Sequence, residues 1–286
     1  MEVLYLVSII LGISIQNIVK KPYADKTNGK GVYFFGAVTA AVAMLFFLVS
    51  ALVMKGGLEW EMGVMPYSVG FAVAYGVGTV FTVVAISCGP LSLTSLIIAF
   101  SLMLPALYGL VFLGEDISYG LIPGLILLVI SLVLINKRGK NEKFSLKWAI
   151  SVFLAFMGNG LCSIVQKMQQ FKYDGAYKDE LMIVALAIVT VFIGIMSVIT
   201  ERKAMKFYVK CGWHLGSICG VFNGMVNLFV MILSSLMNVS IMFPLISAGG
   251  IIVTYIVSRV FYKEQLTRLQ FVGFILGMCS VVLLNI

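Results

Sequence analysis

Long apolar stretches alternate with short polar breaks along the whole chain. Ten of these stretches come close to the roughly 20 residues that a helix needs to cross a bilayer core of about 30 Å. We predict transmembrane helices at about 3–19, 32–54, 66–87, 91–113, 118–136, 147–166, 181–200, 212–235, 239–261 and 267–286. The stretches are too long and too uniformly apolar for barrel strands. The predicted fold class is therefore an all-α integral membrane protein with ten transmembrane helices.

The composition excludes a soluble domain. Apolar residues make up 61% of the 286 positions and charged residues only 11%, and the mean hydropathy is +1.07. A soluble protein needs a much larger charged surface. The net charge of +8 comes from Lys and Arg placed between the predicted spans, where they set membrane topology. We therefore expect the lipid bilayer, and no nucleic acid, as a partner.

The orientation follows from the basic residues in alternate loops. The loops on one side contain 16 Lys and Arg residues, among them Lys20 and Lys21, and those on the other contain 4, among them Lys167. Because the side richer in positive charge usually faces the cytoplasm, the count predicts that both termini lie outside.

The two halves of the sequence resemble each other. Shifting the second half by 149 positions aligns polar and small residues in pairs: Glu115 with Glu264, Gly124 with Gly273, Ser131 with Ser280, and Asn136 with Asn285. Near the start of each half, the segment 18–21 aligns with 164–167. We predict a first five-helix repeat at 1–136, a linker at 137–146 and a second repeat at 147–286. Since five is odd, the two repeats would be inverted in the membrane, as in many secondary transporters.

Polar residues inside the predicted spans are the candidates for a substrate site, because polar groups facing lipid are costly. Asn223 and Asn227 share one helix face by their spacing of four, and so do Tyr75 and Thr79. Gln166 stands at the end of the sixth span. The residues that we predict to line a cavity are Gln16, Asn17, Tyr75, Thr79, Ser95, Asn159, Asn223, Asn227 and Ser247. The alternative is that these amides and hydroxyls only join packed helices by hydrogen bonds.

Small residues and a proline suggest sites of close packing or bending. Gly216, Gly220 and Gly224 follow one another at a spacing of four, which allows another helix to approach closely. Pro105 lies inside the fourth span and can kink it. The glycines could instead line a solute path or allow bending.

Several kinds of chemistry are not supported by the sequence. His214 is the only histidine, and the five cysteines contain no CxxC pair, so no metal site and no cofactor are expected. Glu115 and Glu264 stand at span ends, and no Asp or Glu lies deep in a predicted span. This pattern favours a polar or zwitterionic solute held by hydrogen bonds. It also argues against an enzyme, because a buried carboxylate pair, a histidine cluster and a GxSxG turn are all missing.

Several short motifs carry a resemblance to a known family. The segment Gly89–Ser95, then Pro105, then 112–115 ending in Leu-Gly-Glu, and then Gly124 resembles the EamA-type repeat of the drug/metabolite transporter superfamily. The second half offers related residues at Val239, Pro244, 261–264 and Gly273. It departs from the pattern by having Tyr-Lys-Glu at 262–264 and an earlier proline.

The resemblance implies a ten-helix carrier with inverted halves and a central cavity, lined by the first, third, fourth, sixth, eighth and ninth spans. Its members usually keep both termini in the cytoplasm, which opposes the charge count. Our leading hypothesis is a multi-pass secondary transporter of the cell membrane. It would move a small metabolite, amino acid or drug-like solute by alternating access, and a second copy of the chain, in a homodimer, is a further candidate partner. The alternatives are a non-transporting receptor or assembly subunit and, less favoured, an intramembrane enzyme.

Overall fold

The computed structural model describes residues 2–27, 30–54, 56–88, 97–98, 100–114, 119–135, 146–262 and 268–283. Ten α-helices and no strand are found in these ranges. The helices are α1 Glu2–Thr27, α2 Val32–Met54, α3 Met65–Cys88, α4 Met103–Phe112, α5 Leu121–Ile135, α6 Leu146–Lys172, α7 Lys178–Thr200, α8 Met205–Leu236, α9 Val239–Tyr262 and α10 Arg268–Leu283. The all-α fold class is thus confirmed.

Six of the helices, α1, α2, α3, α6, α7 and α8, contain stretches long and apolar enough to cross a membrane. Their outward surfaces support the same conclusion. Large apolar side chains are exposed along α2, for example Val49 and Val53, and along α7, for example Val191 and Val198. A water-soluble protein rarely exposes apolar surface on this scale. The length, composition and outward surface of these six helices are therefore compatible with a membrane environment.

Three helices extend well beyond the predicted spans: α8 begins at Met205 and not near residue 212, and α1 and α6 end later than predicted. Helix α1 ends at Thr27 and not near residue 19, and α6 ends at Lys172 and not near residue 166. Lys20 and Lys167 therefore lie within helices, and their placement in loops by the charge count is wrong. The physical reason is that Lys and Gln are good helix formers, so the helix continues after the apolar stretch has ended.

The helices pack in well-defined pairs. Helix α3 lies along α6, and α1 lies along α8. Helix α2 packs against both α7 and α8, α4 against α9, and α5 against α10. The largest buried cluster lies among α2, α3, α6, α7 and α8 and includes Phe47, Phe71, Leu181 and Met182. The interior of this cluster is therefore shared by both halves of the chain.

Helices α5 and α10 are joined by a reciprocal pair of hydrogen bonds. The Ser131 hydroxyl donates to the Gly273 carbonyl at 2.6 Å, and the Ser280 hydroxyl donates to the Gly124 carbonyl at 2.8 Å. All four residues are buried. The 149-residue shift aligns Ser131 with Ser280 and Gly124 with Gly273. Each helix therefore contributes one serine hydroxyl as donor and one glycine carbonyl as acceptor.

The glycine stripe of α8 is covered by α2. A Cβ atom on Gly220 would lie 2.6 Å from the Val42 Cβ and 2.8 Å from the Thr39 carbonyl oxygen. Gly216 and Gly224 also face α2, where a Cβ would meet Val38 and Phe46 respectively. The missing side chains let the two helix backbones approach closely. This contact fixes the position of α8, which carries Asn223 and Asn227.

The predicted kink at Pro105 lies at a change of helix type. A short 3₁₀ turn spans Phe100–Leu102, and α4 begins at Met103. Pro105 is buried in the first turn of α4 and has no N–H to donate to the Ser101 carbonyl. That carbonyl oxygen lies 2.9 Å from the position of a Cβ on Gly160, so α6 approaches the chain closely at this point.

Candidate solute site between helices α1, α6 and α8

Four carboxamide side chains form a hydrogen-bonded row across three helices. Gln166 of α6 donates from Nε2 to the Asn227 Oδ1 at 2.9 Å. Asn227 of α8 donates from Nδ2 to the Asn223 carbonyl at 2.9 Å and to its Oδ1 at 3.3 Å. Asn223 donates from Nδ2 to the Gln16 Oε1 of α1 at 3.4 Å. We call Gln16, Asn223, Asn227 and Gln166 the amide ladder.

The ladder has unused hydrogen-bonding capacity at both ends. Gln16 is 5% exposed and Gln166 is 3% exposed, so both side chains are buried. Among the described residues, the Gln16 Nε2 donor and the Gln166 Oε1 acceptor form no hydrogen bond. A polar solute that accepts at the Gln16 end and donates at the Gln166 end would use this capacity.

The sequence predicted three of the four ladder residues. The spacing of Asn223 and Asn227 placed them on one face, and the structure links them to Gln16 by hydrogen bonds. Gln166 is one of the polar residues of the predicted sixth span, but the predicted cavity lining does not include it. Its polar side chain in an otherwise apolar stretch is the signal that pointed to it.

The other described candidates form no hydrogen bond with the ladder residues. The Asn159 Nδ2 donates to Ala155 in its own helix at 2.8 Å, and Gly78 of α3 packs against Asn159. The Tyr75 ring stacks on Phe71 with centroids 5.8 Å apart. Ser247 is buried in α9. Ser95 lies outside the described residues, and for Asn17 only the helical backbone is described.

Thr79 of α3 lies against α2 and α7. It lines a cavity of about 10 Å³ together with Tyr33 and Ile193. A space of this size is about the smallest that can hold one water molecule. This cavity is therefore too small for a solute.

Charged and amide side chains are buried at one end of the bundle, where α6 ends and α7 begins. Lys167 is 8% exposed, and Asp179 and Glu180 are each 2% exposed. The Lys167 ammonium donates to the Ser234 carbonyl of α8 at 2.8 Å, and the Glu180 Oε1 accepts from the Glu59 backbone N–H at 3.2 Å. We call Lys167, Asp179 and Glu180 the end cluster.

The end cluster changes one expectation from the sequence. Asp179 and Glu180 stand outside the predicted seventh span, as expected of carboxylates at span ends. The structure nevertheless buries both in the first turn of α7. Negative side chains in the first turn of a helix interact favourably with its dipole. The hydrogen bonds of the end cluster thus link α6 to α8, and α7 to the segment before α3.

Comparison with known proteins shows the fold and nothing more specific. No family model matches the chain, and no curated protein matches it. One protein solved by crystallography matches over 99% of this chain and 95% of its own, with a TM-score of 0.81 and 13% sequence identity. At this level of identity a likeness shows the fold alone. The chain therefore shares its fold, over nearly its full length, with a protein of known crystal structure.

Proposed function

We propose that this chain is a secondary transporter that moves a small polar solute across the cell membrane by alternating access. The observation that carries the proposal is the amide ladder. It brings four carboxamides together between apolar helices, and polar groups inside membrane helices usually mark a substrate or ion path. The incomplete hydrogen bonding at its two ends supports a binding role over a purely structural one.

The packing of the helices supports a division into two related halves. In two repeats of five helices, α1 corresponds to α6 and α3 corresponds to α8. The contact of α1 with α8 then corresponds to the contact of α6 with α3. Three further contacts each join a helix to its own counterpart in the other repeat: α2 with α7, α4 with α9 and α5 with α10. The reciprocal serine–glycine bonds of α5 and α10 obey the same rule. Such a pattern is expected of two repeats related by a two-fold axis.

Repeats of five spans would be inverted, and transporters of this plan bind their substrate where the repeats meet. The amide ladder fits that position because Gln16 belongs to the first half and the other three residues to the second. In this proposal the end cluster, which joins α6 to α8 next to Gln166, is the closed gate. Rocking of the halves would then open this end and close the other.

The proposal is tested by solute uptake into liposomes that contain the purified protein. The panel should include amino acids, hydroxy acids, sugars and amines, each measured against liposomes without protein. We expect at least one solute to accumulate or exchange in a saturable way. Lack of movement for every solute would contradict transport and favour the receptor or assembly subunit.

A further inference from the structure

Helix α8 is longer than a bilayer core requires. Its 32 residues, Met205–Leu236, extend over about 48 Å, whereas the hydrocarbon core of a bilayer is about 30 Å thick. Residues 211–236 contain no Asp, Glu, Lys or Arg and are long enough to cross the core. In a membrane, the first turns of α8, at 205–210, therefore lie at the level of the lipid headgroups.

These first turns expose cations beside aromatic rings. Lys206 and Lys210 share one face of α8 by their spacing of four, and both are exposed. Phe207 is 48% exposed, and Trp213 is 59% exposed. Aromatic rings next to Lys and Arg are typical of helix segments that lie at the membrane–water interface. The start of α8 thus has the surface chemistry that suits an anionic lipid headgroup layer.

The turn between α1 and α2 packs against the same part of α8. The Tyr23 hydroxyl donates to the Gly31 carbonyl at 2.6 Å, and a Cβ atom on Gly31 would lie 2.6 Å from the Tyr208 ring. Lys26 and Lys30 flank this contact, and both are exposed. The cations of the turn and those of α8 therefore lie at one end of the bundle.

Positive charge is concentrated in these two parts of the chain. The segments 20–30 and 201–210 contain eight Lys and Arg residues but only two acids, Asp25 and Glu201. They therefore carry a net charge of +6 out of the +8 of the whole chain. A surface with this charge attracts anions, and the attraction is strongest for a surface that is itself densely anionic.

Glu201 holds this surface in place. Its Oε1 accepts a hydrogen bond from the Tyr33 backbone N–H at 3.0 Å, and its Oε2 accepts from the Phe34 backbone N–H at 2.8 Å. The Ser197 hydroxyl also donates to the Oε2, at 2.9 Å. Both oxygens are thus used to join the end of α7 to the start of α2, and the cations around them stand on a fixed surface.

We call the exposed residues Lys26, Lys30, Arg202, Lys203, Lys206 and Lys210 the cationic face. We propose that the cationic face binds the headgroups of anionic phospholipids in the surrounding bilayer. Clusters of roughly four to eight Lys and Arg at the end of a transmembrane helix bind such headgroups. The exposed rings of Phe207 and Trp213 favour lipid over a soluble acidic partner, because they can enter the interface beside the cations. The proposal goes beyond transport and does not depend on it.

The experiment measures which lipids contact Trp213. The substitutions Trp60→Phe and Trp148→Phe leave Trp213 as the only tryptophan of the chain. The protein is reconstituted into mixtures of phosphatidylglycerol and phosphatidylcholine in which one lipid is brominated, because bromine quenches a neighbouring tryptophan. We expect phosphatidylglycerol to bind about tenfold more tightly than phosphatidylcholine in 0.1 M salt. In 1 M salt this preference should be mostly lost, because the screening length falls from about 10 Å to about 3 Å.

Charge variants with a matched control locate the effect. The double substitution Lys206→Gln with Lys210→Gln should reduce the preference to about twofold or less, whereas Lys206→Arg with Lys210→Arg should keep it. The control is Lys172→Gln with Lys178→Gln at the other end of the bundle, which removes the same charge and should leave the preference unchanged. Equal quenching by the two lipids, or a preference that survives the loss of Lys206 and Lys210, would overturn the inference.

A second measurement covers the case in which the chain with a single tryptophan does not fold. The chain with its own tryptophans is purified in a neutral detergent, and its thermal unfolding is followed with added phosphatidylglycerol, phosphatidylcholine or glycerol phosphate. Phosphatidylglycerol should raise the Tm more than phosphatidylcholine does, and the double glutamine variant at 206 and 210 should lose this difference. Glycerol phosphate carries the same charged group without acyl chains and should have little effect. If it stabilises the protein as much as the lipid does, the face binds free phosphate and the lipid site is refuted.

Discussion

Substitution of Gly220 by alanine provides a quantitative test of how α2 and α8 pack. The added methyl carbon would lie 2.6 Å from the Val42 Cβ and 2.8 Å from the Thr39 carbonyl oxygen. Both partners belong to the body of α2 and cannot rotate away, so the helices must separate. Overpacking of this kind costs about 1–3 kcal/mol. We therefore expect Gly220→Ala to destabilise the protein by that amount.

The matched control is Gly194→Ala in α7. Outside its own helical turn, no atom of the described residues lies within 4 Å of a Cβ at this position. Alanine is about 0.5–1 kcal/mol better than glycine inside a helix, so this variant should be neutral or slightly more stable. The two substitutions are chemically identical, and only their surroundings differ.

The assay is thermal unfolding of the purified variants in one detergent, followed by the loss of helical signal. For a chain of this size about 1 kcal/mol corresponds to a Tm change of roughly 2–4 °C. Gly220→Ala should thus lower the Tm by about 2–12 °C, while Gly194→Ala should raise it by up to about 4 °C. Equal Tm changes for the two variants would show that the α2–α8 contact is not as close as described.

Two further predictions concern hydrogen bonds inside the bundle. Gln166→Leu leaves the Asn227 Oδ1 without its donor. This variant should cost about 1–3 kcal/mol in unfolding free energy and abolish solute uptake. The control Met168→Leu, at an exposed position, should change neither quantity. Ser131→Ala and Ser280→Ala each remove one of two equivalent bonds. Each should lower the Tm by about 1–2 °C, corresponding to about 0.6 kcal/mol per bond; a large effect of one and none of the other would contradict the equivalence.

The positions of the helices could be predicted from the sequence, but the ends of several could not. Apolar stretches place most of the helices to within a few residues because length and hydropathy are properties of the chain itself. Helices α1 and α6 extend past Lys20 and Lys167 because Lys and Gln favour helix as much as many apolar residues do. Only the packing of neighbouring helices shows that these polar turns are still inside the bundle.

The candidate site was predictable only within single helices. Spacing shows that Asn223 and Asn227 share a face, and it shows the same for Tyr75 and Thr79. It does not show which helix each face meets. The structure places the first pair between α1 and α6 but directs Thr79 towards α2 and α7. Tertiary packing therefore decides which shared faces become a site.

The equivalence of Ser131 with Ser280 illustrates what a sequence shift can predict. The shift of 149 positions aligns these residues and the glycines Gly124 and Gly273 without any knowledge of contacts. That the aligned residues bond to each other across α5 and α10 is a tertiary fact. The predicted linker 137–146 falls almost wholly outside the described residues, and so do Glu115 and Glu264. The boundary between the halves stays a prediction.

Alternating access at the amide ladder is tested most directly by a single accessible cysteine. Asn227→Cys, in a chain whose own cysteines are replaced, is reconstituted into liposomes and exposed to a membrane-impermeant maleimide from one side at a time. A carrier that opens alternately should be labelled from either side, and a transported solute should slow both reactions. Labelling from one side only, unaffected by any solute, would contradict the transport mechanism.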